Sequence, residues 1–282
     1  MRQRRRPPLG QVFLADSRVE QRILNALRLN REDVVLEIGA GPGNMTARIA
    51  ACDSQVIAVE VDPKLAATLR QRFATNSRVA ILEADILKVA VDELARQAGK
   101  ETIQVFGNLP YYITSPCLMH LFRFHVSISA IVVMVQLEVA RRIAAEPGSA
   151  DYGLLSVTCQ YYTRPELLFR IPPGAFRPKP QVHSALVRMT VAPQREALGI
   201  RDELAFWKWM RAAFAQKRKT LVNNWKGLCS AERLRAALEP MGVSAQTRAE
   251  ALSLEQLGTL YRTLSQDRAT GSAPSAETGA AV

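Results

Sequence analysis

The 282-residue sequence has little of what builds metal or disulfide sites. Its four cysteines, Cys52, Cys117, Cys159 and Cys229, never approach Cys-x-x-Cys spacing, and its three histidines, His120, His125 and His183, form no His-Glu-x-x-His pattern. No metal is expected, and a chain of this length needs no disulfide staples. No apolar run reaches the roughly 18–20 residues of a bilayer span. The basic start, Met1-Arg2-Gln3-Arg4-Arg5-Arg6-Pro7-Pro8, is followed only by the broken stretch Leu9-Gly10-Gln11-Val12-Phe13-Leu14. A signal peptide needs a longer apolar core, so the reading is a soluble, cytoplasmic protein. Negative charge is also short: Lys+Arg 37 against Asp+Glu 26 leaves a net +11. That surplus favours a polyanionic partner, either nucleic acid or an anionic membrane, and does not choose between them. With 48% hydrophobic and 22% charged residues, the chain is not wholly disordered.

What is present is a regular alternation. Short β-branched runs at 34–38, 55–59, 79–82, 103–106 and 130–135 alternate with amphipathic stretches at 44–51, 63–74, 88–98, 116–124 and 137–145. This βα rhythm predicts a parallel sheet with right-handed crossovers. A helix is expected over 17–27, where Val19, Ile23, Leu24 and Leu27 recur at helical spacing. Residues 154–162 and 185–191 read as two further strands, paired antiparallel at the sheet edge across a proline-rich connection. Past 194–199 the pattern turns purely helical, at 201–216, 218–225, 231–240 and 253–264. The expected organisation is a basic arm over 1–9, an α/β domain over 10–194, a small helical domain over 200–264 and a disordered tail over 265–282.

In open α/β sheets ligands bind at the carboxyl ends of the strands. The first strand ends in Glu37-Ile38-Gly39-Ala40-Gly41-Pro42-Gly43, where glycine lets the backbone turn tightly against a ligand. Glu60 ends the second strand, about 20 residues after Gly39, where an acid typically accepts ribose hydroxyls. Asp85 and Asn108 end the third and fourth. The four are expected to converge on one crevice. Asn44 stands where a dinucleotide fingerprint needs glycine, no Gly-Lys-Ser/Thr loop is present, and Pro42 removes one N–H from any phosphate cradle. A nucleoside without a phosphate chain fits better, and S-adenosylmethionine is the obvious one.

Asn108-Leu109-Pro110-Tyr111 is the strongest local signal. The exocyclic amine of adenine is a poor nucleophile because its lone pair is delocalised into the ring. The Asn108 side-chain oxygen and a backbone carbonyl near Leu109–Pro110 can accept its two N–H bonds and localise that pair for methyl transfer. Pro110 stiffens the turn, and Tyr111 can stack on a base drawn out of its helix. Phe176, in the stiff loop Phe176-Arg177-Pro178-Lys179-Pro180-Gln181-Val182-His183-Ser184, is either a second stacking ring or a core residue. Pro116-Cys117 looks like the dipeptide used by enzymes that attack cytosine carbon, against the plainer reading of a packed thiol.

Taken in order, Gly10-Gln11-Val12-Phe13-Leu14, the glycine turn, Asn108-Leu109-Pro110-Tyr111, the Phe176–Ser184 loop and Phe214-Ala215-Gln216-Lys217-Arg218-Lys219-Thr220-Leu221 resemble one family. It is the small-subunit ribosomal RNA adenine dimethyltransferases, whose loss gives kasugamycin resistance. The resemblance spans about residues 8–264. It implies a Rossmann-like class I S-adenosylmethionine-dependent methyltransferase fold with a small C-terminal helical domain. It implies dimethylation of two adjacent adenines in a hairpin near the 3′ end of 16S rRNA, on a monomer acting in the immature 30S particle. By position it makes Val12, Leu14, Gly39, Glu60, Asp85 and Asn108 cofactor contacts, and Asn108, Leu109, Pro110, Tyr111 and Phe176 the target-base pocket. Val12, Tyr112 and His183 depart from the family's usual residues. The rivals are the 23S rRNA methyltransferases of macrolide resistance and a non-catalytic rRNA-binding assembly factor.

The basic surplus is densest at Lys217-Arg218-Lys219, within a stretch that also carries Arg201, Lys208, Arg211 and Lys226. Such residues bind phosphates without reading sequence. Arg141, Arg142 and the arginines at 2, 4, 5 and 6 are candidate additions.

Overall fold

Among the first strands of the computed structural model, which describes residues 12–110 and 112–270, burial explains the sequence pattern directly. Val34–Ile38 is buried at all five positions, as a parallel strand covered on both faces must be. In chain order the elements are β1 (Phe13–Leu14), α1 (Ser17–Leu27), β2 (Val34–Ile38), α2 (Asn44–Ala50), β3 (Gln55–Glu60), α3 (Pro63–Arg72), β4 (Val79–Glu83), α4 (Val91–Gln97), β5 (Ile103–Asn108), α5 (Thr114–Phe122), β6 (Ile128–Gln136), α6 (Leu137–Ile143), α7 (Leu154–Tyr162), β7 (Thr163–Ile171), β8 (Phe176–Arg177) and β9 (Ser184–Val191). Four helices follow, α8 (Glu203–Ala213), α9 (Leu221–Asn224), α10 (Ala231–Leu238) and α11 (Leu254–Thr270).

The chain forms two compact units. The first runs to Ala144 and resumes over Tyr162–Pro193; the second takes Ala145–Tyr161 and the chain from Gln194 onward. The expected break near 194–200 therefore misses a piece, because residues 145–161 group with the later helices.

The first unit holds a seven-stranded sheet in the order β4-β3-β2-β5-β6-β9-β7. β4, β3, β2, β5 and β6 are mutually parallel, and β9 runs antiparallel to both β6 and β7. From β2 the chain steps outward to β3 and β4, then crosses back from β4 to β5 on the other side of β2. The topological switch point lies between β2 and β5, and the crevice expected for a ligand opens at their carboxyl ends. α1 lies on this unit through Val19, Ile23 and Leu27, all buried. Asp16 caps its start by accepting from the Arg18 and Val19 amides, and Arg188 of β9 donates to the Ala26 and Leu27 carbonyls at its end. A salt bridge of 2.8 Å between buried Glu20 and Arg48 ties α1 to α2.

Three expectations are corrected here. Residues 154–162 are helix α7, not a strand. Their β-branched and aromatic composition misled, because this helix buries Ser156, Val157, Thr158, Cys159 and Tyr161. Its buried hydroxyl at Thr158 is satisfied within the helix by donating to the Leu154 carbonyl. The antiparallel edge pair does exist, but it joins β9 to β7, which carries Pro165. That proline is tolerated because β7 is the terminal strand of the sheet. The expected tail from 265 also starts too early, since α11 continues to Thr270.

The second unit is all helix. Trp225 is its largest fully buried side chain, and its indole N–H donates to the Trp209 carbonyl at 3.0 Å while the two rings meet edge to face. Phe206, Met210, Leu234, Leu238, Leu257 and Leu260 are buried with it. The helix expected over 218–225 shortens to Leu221–Asn224, started by Thr220, whose hydroxyl accepts from the Asn223 amide. Lys217, Arg218 and Lys219 are left in an exposed loop before it. Among the described residues, no helix is long and apolar enough to cross a membrane.

Candidate active site

Gly39, Glu60, Asp85 and Asn108 stand at or just beyond the carboxyl ends of β2, β3, β4 and β5, four adjacent parallel strands. The βα period thus sets the four residues on one edge of the sheet. Gly39 has φ +69, a conformation that favours glycine, and an added Cβ there would meet nothing within 4 Å. Backbone therefore faces open space at the mouth of the switch point. Asp85 caps the short 3₁₀ turn Ile86–Lys88, accepting from the Leu87 amide at 3.0 Å.

Glu60 is only 3% exposed. One of its carboxylate oxygens accepts from the Gly41 amide at 2.9 Å and the other from the Asp62 amide at 3.0 Å. A carboxylate offers about four acceptor positions, so each oxygen keeps capacity for a hydroxyl. Glu37, also 3% exposed, accepts the Thr46 hydroxyl at 2.5 Å, which ties β2 to the first turn of α2. Burial pushes its carboxyl up to about 7, the Thr46 bond opposes that rise, and the nearby charge of Glu60 adds to it. From the other side Arg72 of α3 donates to the Pro42 carbonyl and, at 3.3 Å, to Asn44. The glycine turn is thus held by Glu37 through α2, by Glu60 and by Arg72. Only Glu60 of the three was singled out from the sequence. Glu37 had left a signal, a charge inside an otherwise apolar strand; Arg72 left none.

At the end of β5 the Asn108 amide nitrogen donates to the Val12 carbonyl at 2.9 Å. Val12 makes this contact with backbone, so its unusual side chain does not cost the bond. Leu109 is 1% exposed and its amide donates to Met134 of β6; its side chain is core. The Pro110 carbonyl accepts from the Ile113 amide at 3.1 Å and the Thr114 hydroxyl at 3.2 Å, which start α5. The Leu109 carbonyl accepts no hydrogen bond among the described residues. Tyr111 lies outside the described residues, as do Gly10 and Gln11 and the basic start.

Phe176 resolves to the second of its two readings. It is 1% exposed and packs in the cluster that includes Leu14, Ile171 and Leu186. Its strand β8 pairs antiparallel with β1, placing Leu14 opposite Phe176 and Phe13 opposite Arg177. This ribbon was not foreseen; two residues per strand carry no period. Tyr112 is 61% exposed, and the exposed His183 offers its backbone carbonyl to the Leu137 amide. Cys117 is fully buried and burial pushes its thiol up to about 12, which removes the nucleophilic reading of Pro116-Cys117.

In the second unit, Lys217, Arg218 and Lys219 are all exposed. Among the described residues none of them pairs with a carboxylate, and Lys217 Nζ donates to the Ala150 carbonyl at 2.8 Å.

Comparison with known proteins bears on this geometry. The pattern described as "Ribosomal RNA adenine dimethylase" matches residues 2–266. A protein of Koribacter versatilis named "Ribosomal RNA small subunit methyltransferase A" is 45% identical, over 91% of this chain and 93% of its own. One of Acidobacterium capsulatum with the same name is 46% identical, over 93% and 92%. Among solved structures, the 23S rRNA methyltransferase ErmE superposes with a TM-score of 0.71 at 25% identity, covering 90% of this chain and all of its own. A dimethyladenosine transferase from Plasmodium falciparum gives a TM-score of 0.73 at 20% identity, covering 90% and 98%, and attests the fold. A match across nearly the whole chain, with the Asn-Leu-Pro turn set at the switch point, leaves one conclusion: the chain belongs to the ribosomal RNA adenine dimethylase family.

Proposed function

We propose that this protein transfers methyl groups from S-adenosylmethionine to the exocyclic amines of two adjacent adenines in the hairpin near the 3′ end of 16S rRNA. The observation that carries the reading is the pair of acceptors at the end of β5, Asn108 Oδ1 and the Leu109 carbonyl. Asn108 commits its nitrogen to Val12, which leaves the oxygen as the free end of the amide. Two acceptors match the two N–H bonds of an adenine amine, and accepting both localises the nitrogen lone pair. Tyr111 supplies a stacking face, and the amine sheds its proton to solvent after transfer.

The residues present fit the cofactor. Gly39 offers open backbone at positive φ, buried Glu60 has acceptor capacity left for ribose hydroxyls, Asp85 follows the end of the next strand, β4, and the Val12 carbonyl meets Asn108 at the end of β5, while Leu14 is packed in the core. When bound, S-adenosylmethionine supplies an electrophilic methyl on a sulfonium sulfur. The chain's own part is to hold the glycine turn rigid, aim the acceptors at the amine and grip the RNA phosphates through Lys217, Arg218 and Lys219.

The small-subunit substrate is favoured over 23S rRNA by 45–46% identity to proteins named for the small subunit, against 25% to a 23S enzyme. The protein acts in the cytoplasm, as a monomer, on the immature 30S particle, and contributes to its assembly. The test uses 30S particles lacking the modification and labelled S-adenosylmethionine. Label is expected on the two hairpin adenines; label on 23S rRNA instead, or none, overturns the reading.

A further inference from the structure

The amino-terminal segment reaches the target-amine acceptor as well as the cofactor mouth. Asn108 lies 96 residues from Val12 in sequence, yet its amide nitrogen donates to the Val12 carbonyl at 2.9 Å. An amide has one donor end and one acceptor end, and a free asparagine can turn either toward a ligand. Here the carbonyl claims the donor end. Two neighbours hold that carbonyl in place. A Cβ added at Gly41 would stand 2.8 Å from the Phe13 ring, so the ring rests directly on the glycine turn. Beyond it, β1 pairs with β8, Leu14 is buried, and the Ala15 amide donates to the Ala175 carbonyl at 2.8 Å. Gly41 is itself held by Glu60. A line of contacts thus runs from Glu60 through Gly41 and Phe13 to Val12 and Asn108.

We infer that residues 12–15 are a positioning element for catalysis: the Val12 carbonyl fixes the polarity of the Asn108 amide, and Phe13, seated on Gly41, fixes the Val12 carbonyl. This rests on the methyltransferase reading above and adds a role that a cofactor cover would not have. A cover acts on cofactor affinity, so its loss is repaired by raising cofactor concentration. A positioning element acts on the transition state, and its loss persists at saturation.

The test compares Phe13→Ala, Phe13→Leu and Asn108→Asp in the full-length enzyme. With cofactor and 30S particles saturating, Phe13→Ala is expected to lower kcat by about tenfold to a hundredfold, and Phe13→Leu to recover most of it. Asn108→Asp keeps an acceptor but loses the donor that Val12 holds, and its kcat is expected to fall by about a hundredfold or more. A second readout needs no substrate. One side-chain amide proton of Asn108, observed by ¹⁵N NMR, should be shifted downfield and slow to exchange in the wild type, and should return to an ordinary shift and exchange faster in Phe13→Ala. Recovery of full kcat by added cofactor overturns the inference, as does an active Asn108→Asp, or an Asn108 amide signal in the wild type with no sign of a hydrogen bond. Wild-type enzyme that labels no 30S adenine would instead sink the functional reading, while the amide signal still reports on the contact.

Discussion

The crevice of the first unit and the Lys217–Lys219 loop of the second handle charge in opposite ways. Glu37 and Glu60 are each 3% exposed, and both are hydrogen-bonded to named backbone or hydroxyl donors. The three loop cations are exposed and, among the described residues, pair with no carboxylate. Buried, hydrogen-bonded carboxyl groups fix geometry, and their effects are local, steep and little screened by salt. Exposed charge with no carboxylate beside it supplies attraction, which is graded and salt-dependent. One region holds its polar groups in fixed geometry, and the other presents open positive charge.

The largest effect expected from breaking this division is at Asn108. Asn108→Ala removes one of two amine acceptors and should cost roughly a hundredfold to a thousandfold in kcat/KM, with the RNA Kd almost unmoved. Equal losses in both would make the residue structural. Next, Glu60→Ala strips the Gly41 and Asp62 amides of their acceptor and should weaken cofactor binding by about tenfold to a hundredfold in calorimetry. An unchanged cofactor Kd would remove Glu60 from that site.

Glu37→Gln tests the buried acid through stability. The Glu37 carboxyl sits at about 7 in the fold against an ordinary 4.5. Native protein therefore holds a proton that the unfolded chain has released across that window. The stability carried by the neutral acid is complete below about pH 4.5 and is lost as pH rises through 7. The loss is at most about 3 kcal/mol, and Glu37→Gln should flatten it in urea melts at pH 5.5 and 8.5. An identical slope in the variant would show that another group is responsible. The smallest effect belongs to the loop. Alanines at Lys217, Arg218 and Lys219 should reduce the salt slope of RNA binding by about 2 and affinity by about tenfold. An unchanged slope would mean that the loop faces away from RNA.

Legibility from sequence followed the range of the interaction. The strands of the parallel half and the helices between them announced themselves through local period, and Gly39, Glu60, Asp85 and Asn108 through polarity at the ends of apolar runs. Glu37 was visible as an anomaly without an assigned partner. Residues 154–162 were misread because β-branched and aromatic side chains suit a buried helix as well as a strand, and only the surroundings decide. Residues 163–171 fell inside the expected proline-rich connection, and only the sheet order shows them as the edge strand β7, where Pro165 is tolerated. Phe176 offered two readings from sequence, and burial selected packing.

By itself the sequence determined the βα series, the polar residues that end its strands, the Asn108-Leu109-Pro110 turn after β5 and the placement of the basic surplus, because each is written within one or two turns of chain. Tertiary structure alone decided which strand lies at the edge, that Phe13-Leu14 pairs with Phe176-Arg177, and which end of the Asn108 amide is free. Those outcomes join residues far apart in sequence. A distant hydrogen bond leaves no period to read, since its partner is chosen by how the sheet orders its strands rather than by any neighbouring residue.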